Sequence, residues 1–222
     1  MKKEHYFTPE SIQSQSGQMR EELGHFRSKH DPGLIPQRSA LLILDMQRYF
    51  LDETSHAFIP SGKAIIPGIA RLIDTYDREA LPVIFTRHIN SDADAGMMSR
   101  WWHDLIRQDD PLSEIIPELD ASRRVVIRKS QYDAFHHTDL EDSLRQNNVT
   151  QLVICGVMTH LCCETTARAA FVRGFEVFFT IDGTAAYNEE FHRATLLNLS
   201  HGFAVPVLID EILTALSESN AN

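Results

Sequence analysis

The chain has 222 residues, of which 43% are hydrophobic and 23% are charged, and its formal net charge is −10. This length favours one domain whose core needs no disulfide or structural metal. The acidic balance argues against a nucleic-acid partner, since such proteins carry a basic stripe, and no stretch approaches the ~18 apolar residues of a membrane helix.

The N-terminal region is the first unit along the chain. Residues 1–38 are polar and weakly periodic, and they end in a turn-rich stretch at 31–36 (DPGLIP). We interpret them as an N-terminal arm that lies on the surface or on a neighbouring subunit, with a disordered tail as the alternative. Because no apolar signal core opens the chain, we expect a cytoplasmic protein.

From residue 39 to residue 222, apolar runs alternate with amphipathic stretches, which predicts one domain of parallel βαβ units. Strands are predicted at residues 40–44, 82–86, 124–127, 151–155, 175–181 and 204–208. Helices are predicted at residues 65–80, 101–108, 140–147, 189–201 and 211–216, with one more directly after the fourth strand. The fold class is therefore a doubly wound α/β protein, with a mostly parallel six-stranded sheet and helices on both faces.

Two sequence features limit the cofactors and cross-links that the protein is expected to use. No Gly-rich loop follows a strand, so we predict no nucleotide cofactor. The three cysteines, Cys155, Cys162 and Cys163, are too few and too clustered for a disulfide framework. No C-x-x-C pair is present, which argues against a zinc knuckle.

Polar residues follow three of the predicted strands. Asp45 ends the first strand, Lys129 follows the third, and Cys162 lies just beyond the fourth in the first turn of a helix. Ligands bind at the carboxyl ends of such strands, so these side chains form a plausible catalytic set. Each has another interpretation: Asp45 as a helix cap, Lys129 as a solvated lysine and Cys162 as a small buried residue.

Three segments together carry a family resemblance. They are residues 42–50 (LILDMQRYF), 129–135 (KSQYDAF) and 156–162 (GVMTHLC), the last followed by 165–167 (TTA). In order, spacing and strand context the chain resembles the isochorismatase-like hydrolases, also called cysteine hydrolases, from about residue 40 to residue 216.

The resemblance implies a catalytic triad of Asp45, Lys129 and Cys162, with Cys163 at a position that is usually apolar. It also implies a cis peptide between Val157 and Met158, and an oxyanion hole made by the N–H groups of Met158 and Cys162. The family suggests a dimer or tetramer. With Lys129 and a helix N-terminus nearby, we expect Cys162 to be a thiolate near neutral pH.

Differences within the family favour one branch. Nicotinamidases carry an Asp-x-His metal motif after the second strand, but this chain has TRHIN at residues 86–90, so we predict no metal. Isochorismatases share the arm, the Met-Gln-x-Tyr-Phe motif and Tyr-x-Ala-Phe-His, but they have glycine where this chain has Cys162. We therefore expect a hydrolase of small amide, carbamoyl or ureido C–N bonds. Isochorismate hydrolysis led by Asp45 and a non-catalytic binding module are the alternatives.

A set of polar and aromatic residues near the strand ends is expected to bind the substrate. Among them, one tryptophan of the pair at 101–102 would line an apolar pocket, and Arg87 or, alternatively, Arg100 would hold a substrate carboxylate. Packing of the tryptophans between subunits is the alternative. The expected substrate-binding residues are Gln47, Arg87, His88, Trp101, Tyr132 and Phe135.

Overall fold

The computed structural model describes residues 2–24, 31–102 and 104–218. Its strands are β1 (Ser39–Leu44), β2 (Val83–His88), β3 (Val125–Lys129), β4 (Gln151–Val157), β5 (Glu176–Ala185) and β6 (Val205–Val207). They form one sheet in the order β3-β2-β1-β4-β5-β6, and every neighbouring pair is parallel. The predicted α/β class is confirmed.

The helices connect the strands. They are α1 (Ile12–Glu22), α2 (Arg48–Leu51), α3 (Gly62–Arg78), α4 (Met98–Trp101), α5 (Leu140–Gln146), α6 (Glu164–Val172), α7 (Glu189–Gly202) and α8 (Ile209–Glu218). Helix α3 forms because apolar residues recur every three or four positions, and that stripe is buried: Ile65, Ile69, Leu72, Ile73 and Tyr76.

The strand order determines which edge of the sheet can hold a ligand site. The chain moves from β1 to β2 in one direction and from β4 to β5 in the other. Right-handed crossovers therefore put α3 and α6 on opposite faces, and the crevice between β1 and β4 is the topological switch point. Helix α3 packs against α8, and α6 packs against α7, as two such layers require.

Close approach of β1 and β4 depends on one glycine. Gly156 pairs with Leu44, the residue before Asp45. A Cβ at Gly156 would lie 2.1 Å from the Leu44 carbonyl oxygen, and its φ of +113° is open to glycine but disfavoured for other residues. Gly156 thus lets the two functional strand ends lie side by side.

Gly156→Ala is expected to lower the Tm sharply. The added methyl group must push the Leu44 backbone away, and the positive φ adds a strain of roughly 1–3 kcal/mol. Gly17→Ala in α1 is the matched control, because a Cβ there meets nothing within 4 Å. Thermal unfolding checks this, and a wild-type Tm for Gly156→Ala would contradict it.

Residues 2–24, which belong to the N-terminal arm, pack on this chain's own sheet domain. Tyr6 and Phe7 are 5% and 1% exposed, and Arg20 in α1 pairs with Glu211 in α8 at 3.1 Å. Other parts of the predicted units lie outside the described residues: residue 1 and residues 25–30 of the arm, and His103 and residues 219–222 of the domain.

The predicted helix at 101–108 is wrong. Helix α4 ends at Trp101, and Trp102 has extended backbone angles (φ −109°, ψ 139°). A tertiary contact overrides local helix propensity here, since the Asn90 N–H donates to the Ile106 carbonyl at 2.7 Å. Within the part of the chain that the structure describes, no helix is long and apolar enough to cross a membrane.

Candidate active site

Asp45 follows β1 directly and is fully buried. It has a φ of +50°, a left-handed conformation that aspartate tolerates better than most residues. Thr86 of β2 holds it twice: the Asp45 N–H donates to Thr86 Oγ1 at 3.1 Å, and the Thr86 hydroxyl donates to Asp45 Oδ1 at 2.6 Å. The second carboxylate oxygen lies 2.7 Å from Lys129 Nζ. One orientation of the carboxylate is therefore fixed.

Lys129, the last residue of β3, places its ammonium at the centre of the cluster. Besides Asp45, it contacts the Gln131 carbonyl oxygen at 2.9 Å, His88 Nδ1 at 3.2 Å and Cys162 Sγ at 3.3 Å. Burial lowers the pKa of Lys129, but the charge of Asp45, together with the contact to Cys162, outweighs burial and keeps the pKa above its usual value. The ammonium is therefore a permanent buried cation.

The same ammonium lowers the pKa of Asp45. Burial raises the pKa of this carboxyl, but attraction to Lys129 and hydrogen bonds to the carboxylate outweigh burial, so the net shift is downward. Asp45 and Lys129 consequently form a buried ion pair, with neither side chain accessible to solvent.

His88 completes the surroundings of Lys129. Because a lysine only donates, His88 Nδ1 is the acceptor, and its Nε2–H donates to Asn90 Oδ1 at 3.1 Å. Burial and the charge of Lys129 lower the pKa of His88 to about 4, so the ring is neutral. Gln47 holds the His88 backbone, accepting from its N–H at 2.8 Å and donating to its carbonyl at 3.0 Å.

Cys162 lies in a π-helical turn, Thr159–Cys163, that joins β4 to α6. The N–H groups of Leu161 and Cys163 both donate to the Met158 carbonyl, at 3.1 and 3.2 Å, which fixes the turn against the strand end. The peptide bond between Val157 and Met158 is cis. Both Met158 and Cys162 line the cavity described below.

The expectation of a resting thiolate at Cys162 is wrong. Burial raises the pKa of the thiol, Asp45 raises it further, and the opposing effect of Lys129 is smaller. The physical reason is that Asp45 already supplies the negative charge that pairs with Lys129. Asp45 and Cys162 thus share one counter-charge, the Lys129 ammonium, with the pKa of Asp45 lowered and that of Cys162 raised.

Possible metal ligands also meet here. Donor atoms of Asp45, His88 and Cys162 lie within 4.8 Å of one another. All three contact the Lys129 ammonium, so the cation that they surround is an amino group of the chain itself. That the protein binds no metal stays a prediction, which elemental analysis of the purified protein tests.

A cavity of about 300 Å³ opens onto Cys162. His88 and Tyr132 are in its wall as expected, and the Trp102 indole N–H donates to the Tyr132 hydroxyl at 2.8 Å. Most of the wall is aromatic or aliphatic, which suits a small flat ligand. Its aromatic residues are Tyr49, Phe50, Trp102, Tyr132 and Tyr187.

Four of the expected substrate-binding residues lie outside the wall of this cavity. Trp101 is 74% exposed, and Trp102 lines the cavity in its place. Arg87 donates to the Ser113 carbonyl at 2.9 Å and pairs with Glu114 at 2.7 Å, so its guanidinium is engaged outside the cavity. Phe135 is buried against Phe175, with ring centroids 5.9 Å apart. Gln47 is also outside the wall, and it acts through His88.

Several residues at the site escaped sequence reasoning. Thr86 and Asn90 flank His88 at two-residue spacing, and that alternation indicates that all three point to one side. The signal was available in the strand pattern. His56 and Tyr187 carry no local signal, since they reach the cavity from distant loops.

The buried histidines predict acid sensitivity. Burial lowers the pKa of His88 and His160 to about 4 and that of His192 to about 3. An unfolded histidine takes up its proton near pH 6.5, so the stability from these groups is present above that pH and declines as pH falls toward 4. Asp182 has the opposite effect on stability, because burial raises its pKa to about 6 and the folded protein therefore takes up this proton before the unfolded chain does.

The net result is uptake of about two protons on unfolding near pH 5, so the free energy of unfolding falls by on the order of 2 kcal/mol per pH unit between pH 6 and 5. Protonation of Asp45 reduces the free energy of unfolding only at still lower pH, because the pKa of this carboxyl is lowered. Urea unfolding at pH 7, 6 and 5 measures this dependence, and equal midpoints would contradict it.

Fold and site together define an α/β protein that brings a buried Asp–Lys–Cys cluster to the wall of a small-molecule cavity. The chain belongs to the isochorismatase family, whose domain matches residues 39–211, and it is an isochorismatase-family hydrolase. The resemblance expected from the sequence motifs is confirmed.

Its relatives differ in their reactions. The chain is 40% identical to nicotinamidase 3 of Arabidopsis thaliana over 193 residues, which cover 85% of this chain and 92% of that protein. It is 32% identical to enterobactin synthase component B of Escherichia coli K12, covering 85% of this chain and 67% of that protein. A cysteine hydrolase from Pseudomonas syringae pv. phaseolicola superposes with a TM-score of 0.81 at 27% identity, covering 84% and 95% of the two chains.

Proposed function

We propose that this protein hydrolyses the C–N bond of a small neutral amide through a covalent intermediate on Cys162. The observation that carries the proposal is the contact of Cys162 Sγ, at 3.3 Å, with the ammonium that also pairs with Asp45 at 2.7 Å. A thiol in the cavity wall beside a buried base and a buried cation is suited to nucleophilic attack on a carbonyl.

In the first half-reaction, Asp45 takes the proton from the Cys162 thiol as the sulfur bonds to the substrate carbonyl carbon. Lys129 stabilises the anion while the charge moves from carboxylate to sulfur and then to the carbonyl oxygen. The N–H groups of Met158 and Cys162 are the proposed donors to that oxyanion. Asp45 then gives its proton to the leaving nitrogen, the C–N bond breaks, and ammonia or an amine departs.

In the second half-reaction, Asp45 takes a proton from water as the water oxygen attacks the thioester carbon. The C–S bond breaks, the acid product leaves, and the sulfur takes the proton from Asp45, which returns the carboxylate and the thiol to their starting states. Lys129 keeps its own proton throughout, because Asp45 and Cys162 hold its pKa above the usual value.

The cavity narrows the substrate class. Its wall is largely aromatic and aliphatic, and the Arg87 guanidinium is engaged with Ser113 and Glu114 rather than available to a substrate carboxylate. A flat aromatic carboxamide fits such a wall better than an anionic ureido acid. Similarity to a nicotinamidase supports the same choice.

Isochorismate hydrolysis is the second candidate, and the 32% identity to enterobactin synthase component B favours it. In that reaction Asp45 would be the acid that protonates the enol ether, and Cys162 would be dispensable. Enol ether protonation needs an acid but no thiol, so it leaves the placement of Cys162 beside the fully buried Asp45 without a role.

A substrate screen separates these candidates. The purified protein is incubated with nicotinamide, a ureido acid and isochorismate, and ammonia and pyruvate are measured. We expect ammonia from nicotinamide and little pyruvate from isochorismate. Rapid pyruvate release would favour the second candidate, and binding of these compounds without turnover would favour a non-catalytic module.

A further inference from the structure

The N-terminal segment contacts two residues of the cavity wall from outside the cavity. Lys3 donates from its ammonium to the His56 carbonyl oxygen at 2.5 Å, and the same ammonium lies 4.7 Å from the centre of the Tyr187 ring. His56 and Tyr187 are both in the cavity wall. One side chain thus joins two wall residues that are far apart in sequence.

Backbone hydrogen bonds fix this segment on both sides. The Glu4 N–H donates to the Tyr187 carbonyl at 2.8 Å. On the other side, the Ser61 hydroxyl donates to the Glu4 carbonyl at 3.1 Å, and the Phe7 N–H donates to Ser61 Oγ at 3.0 Å. Residues 3–7 therefore bridge the loop before α3 and the loop after β5.

Tyr6 extends the connection beneath the Cys162 turn. Its hydroxyl accepts from the Ala186 N–H at 2.8 Å and lies 3.1 Å from His192 Nδ1. Thr159, which begins the π-helical turn, has its hydroxyl 3.1 Å from the same nitrogen. The segment and the turn that carries Cys162 thus share one buried histidine.

We propose that residues 3–7 support the wall of the substrate cavity from behind and that Lys3 is a positioning residue for substrate binding. Lys3 acts through His56 and Tyr187, holding the two loops at the spacing that a flat substrate needs. It takes no part in proton transfer, since Asp45, Lys129 and Cys162 are linked without it. The proposal rests on the proposed amide hydrolysis, which supplies one of its two readouts.

The test compares Lys3→Met with Lys2→Met. Both variants lose an ammonium from the same segment, but Lys2 has 81% side-chain exposure and pairs with Glu4 rather than with the cavity wall. With nicotinamide as the probe, Lys3→Met should raise KM roughly fivefold and leave kcat within about twofold. This pattern is expected when a variant loses binding energy that the substrate and the transition state share. Lys2→Met should leave both constants unchanged, and Lys3→Arg should restore KM.

Hydrogen exchange supplies the readout that is independent of turnover. Lys3→Met should accelerate amide exchange in residues 53–58 and 186–188 at an unchanged Tm, whereas Lys2→Met should not. Unchanged KM and exchange in Lys3→Met, or equal changes in both variants, would overturn the proposal. If nicotinamide is not hydrolysed at all, the proposed function fails while exchange still decides the role of Lys3.

Discussion

Cys162→Ala will reduce amide turnover by about 10⁴-fold or more, because the variant has no atom to form the covalent intermediate. Cys163→Ala will retain turnover within about threefold. The two thiols are adjacent, so their side chains project about 100° apart. Cys162 faces the cavity and contacts Lys129, whereas Cys163 is fully buried and absent from the cavity wall.

Steady-state ammonia release from both variants measures the difference, and thermal unfolding checks that each is folded. Cys162→Ser is a further control, since it keeps the size of the side chain but not the nucleophilicity of sulfur. Equal loss in Cys162→Ala and Cys163→Ala would show that the wrong cysteine has been assigned, or that both residues are structural.

Lys129→Met will lose both activity and stability. Removal of the ammonium leaves the Asp45 carboxylate buried without its counter-charge, a situation that costs about 3–5 kcal/mol. It also removes the group that lowers the pKa of the Cys162 thiol, so that pKa should rise further. We expect turnover to fall by about 10³-fold or more, with weaker alkylation of Cys162 at every pH below the new pKa.

Two further variants separate the effects. Asp45→Asn combined with Lys129→Met removes both charges, so it should recover most of the stability lost in Lys129→Met while remaining inactive. Arg128→Met is the matched control, since Arg128 is the neighbouring basic residue of β3 but is exposed and pairs with Asp94 at the surface. Urea unfolding and turnover are measured for all three variants. If Lys129→Met resembled Arg128→Met in both, the role assigned to Lys129 would be contradicted.

Much of the fold could be predicted because local patterns determine it. Short apolar runs such as residues 40–44 that alternate with amphipathic stretches such as α3 indicate buried parallel strands covered by helices. The same logic located Asp45, Lys129 and Cys162, because parallel strands bring their carboxyl ends to one edge. Strand topology therefore accounts for the part of the site nearest the sheet.

The cavity wall was harder to predict because it depends on loop paths. Trp102 lines the cavity and Trp101 is exposed, in a stretch whose path the strand pattern does not determine. Arg87 is different, since strand alternation next to His88 already indicates that it faces away from the site. The raised pKa of Cys162 was not anticipated because burial of the thiol and the nearby negative charge of Asp45 together outweigh the effect of Lys129.

The covalent intermediate is the central claim, and mass spectrometry of the protein quenched during turnover tests it most directly. The account predicts an adduct on Cys162 with the mass of the substrate acyl group, absent from Cys162→Ala and present in Cys163→Ala. Rapid substrate consumption by Cys162→Ala, with no adduct on the wild-type protein, would contradict it and would leave acid catalysis by Asp45 as the mechanism.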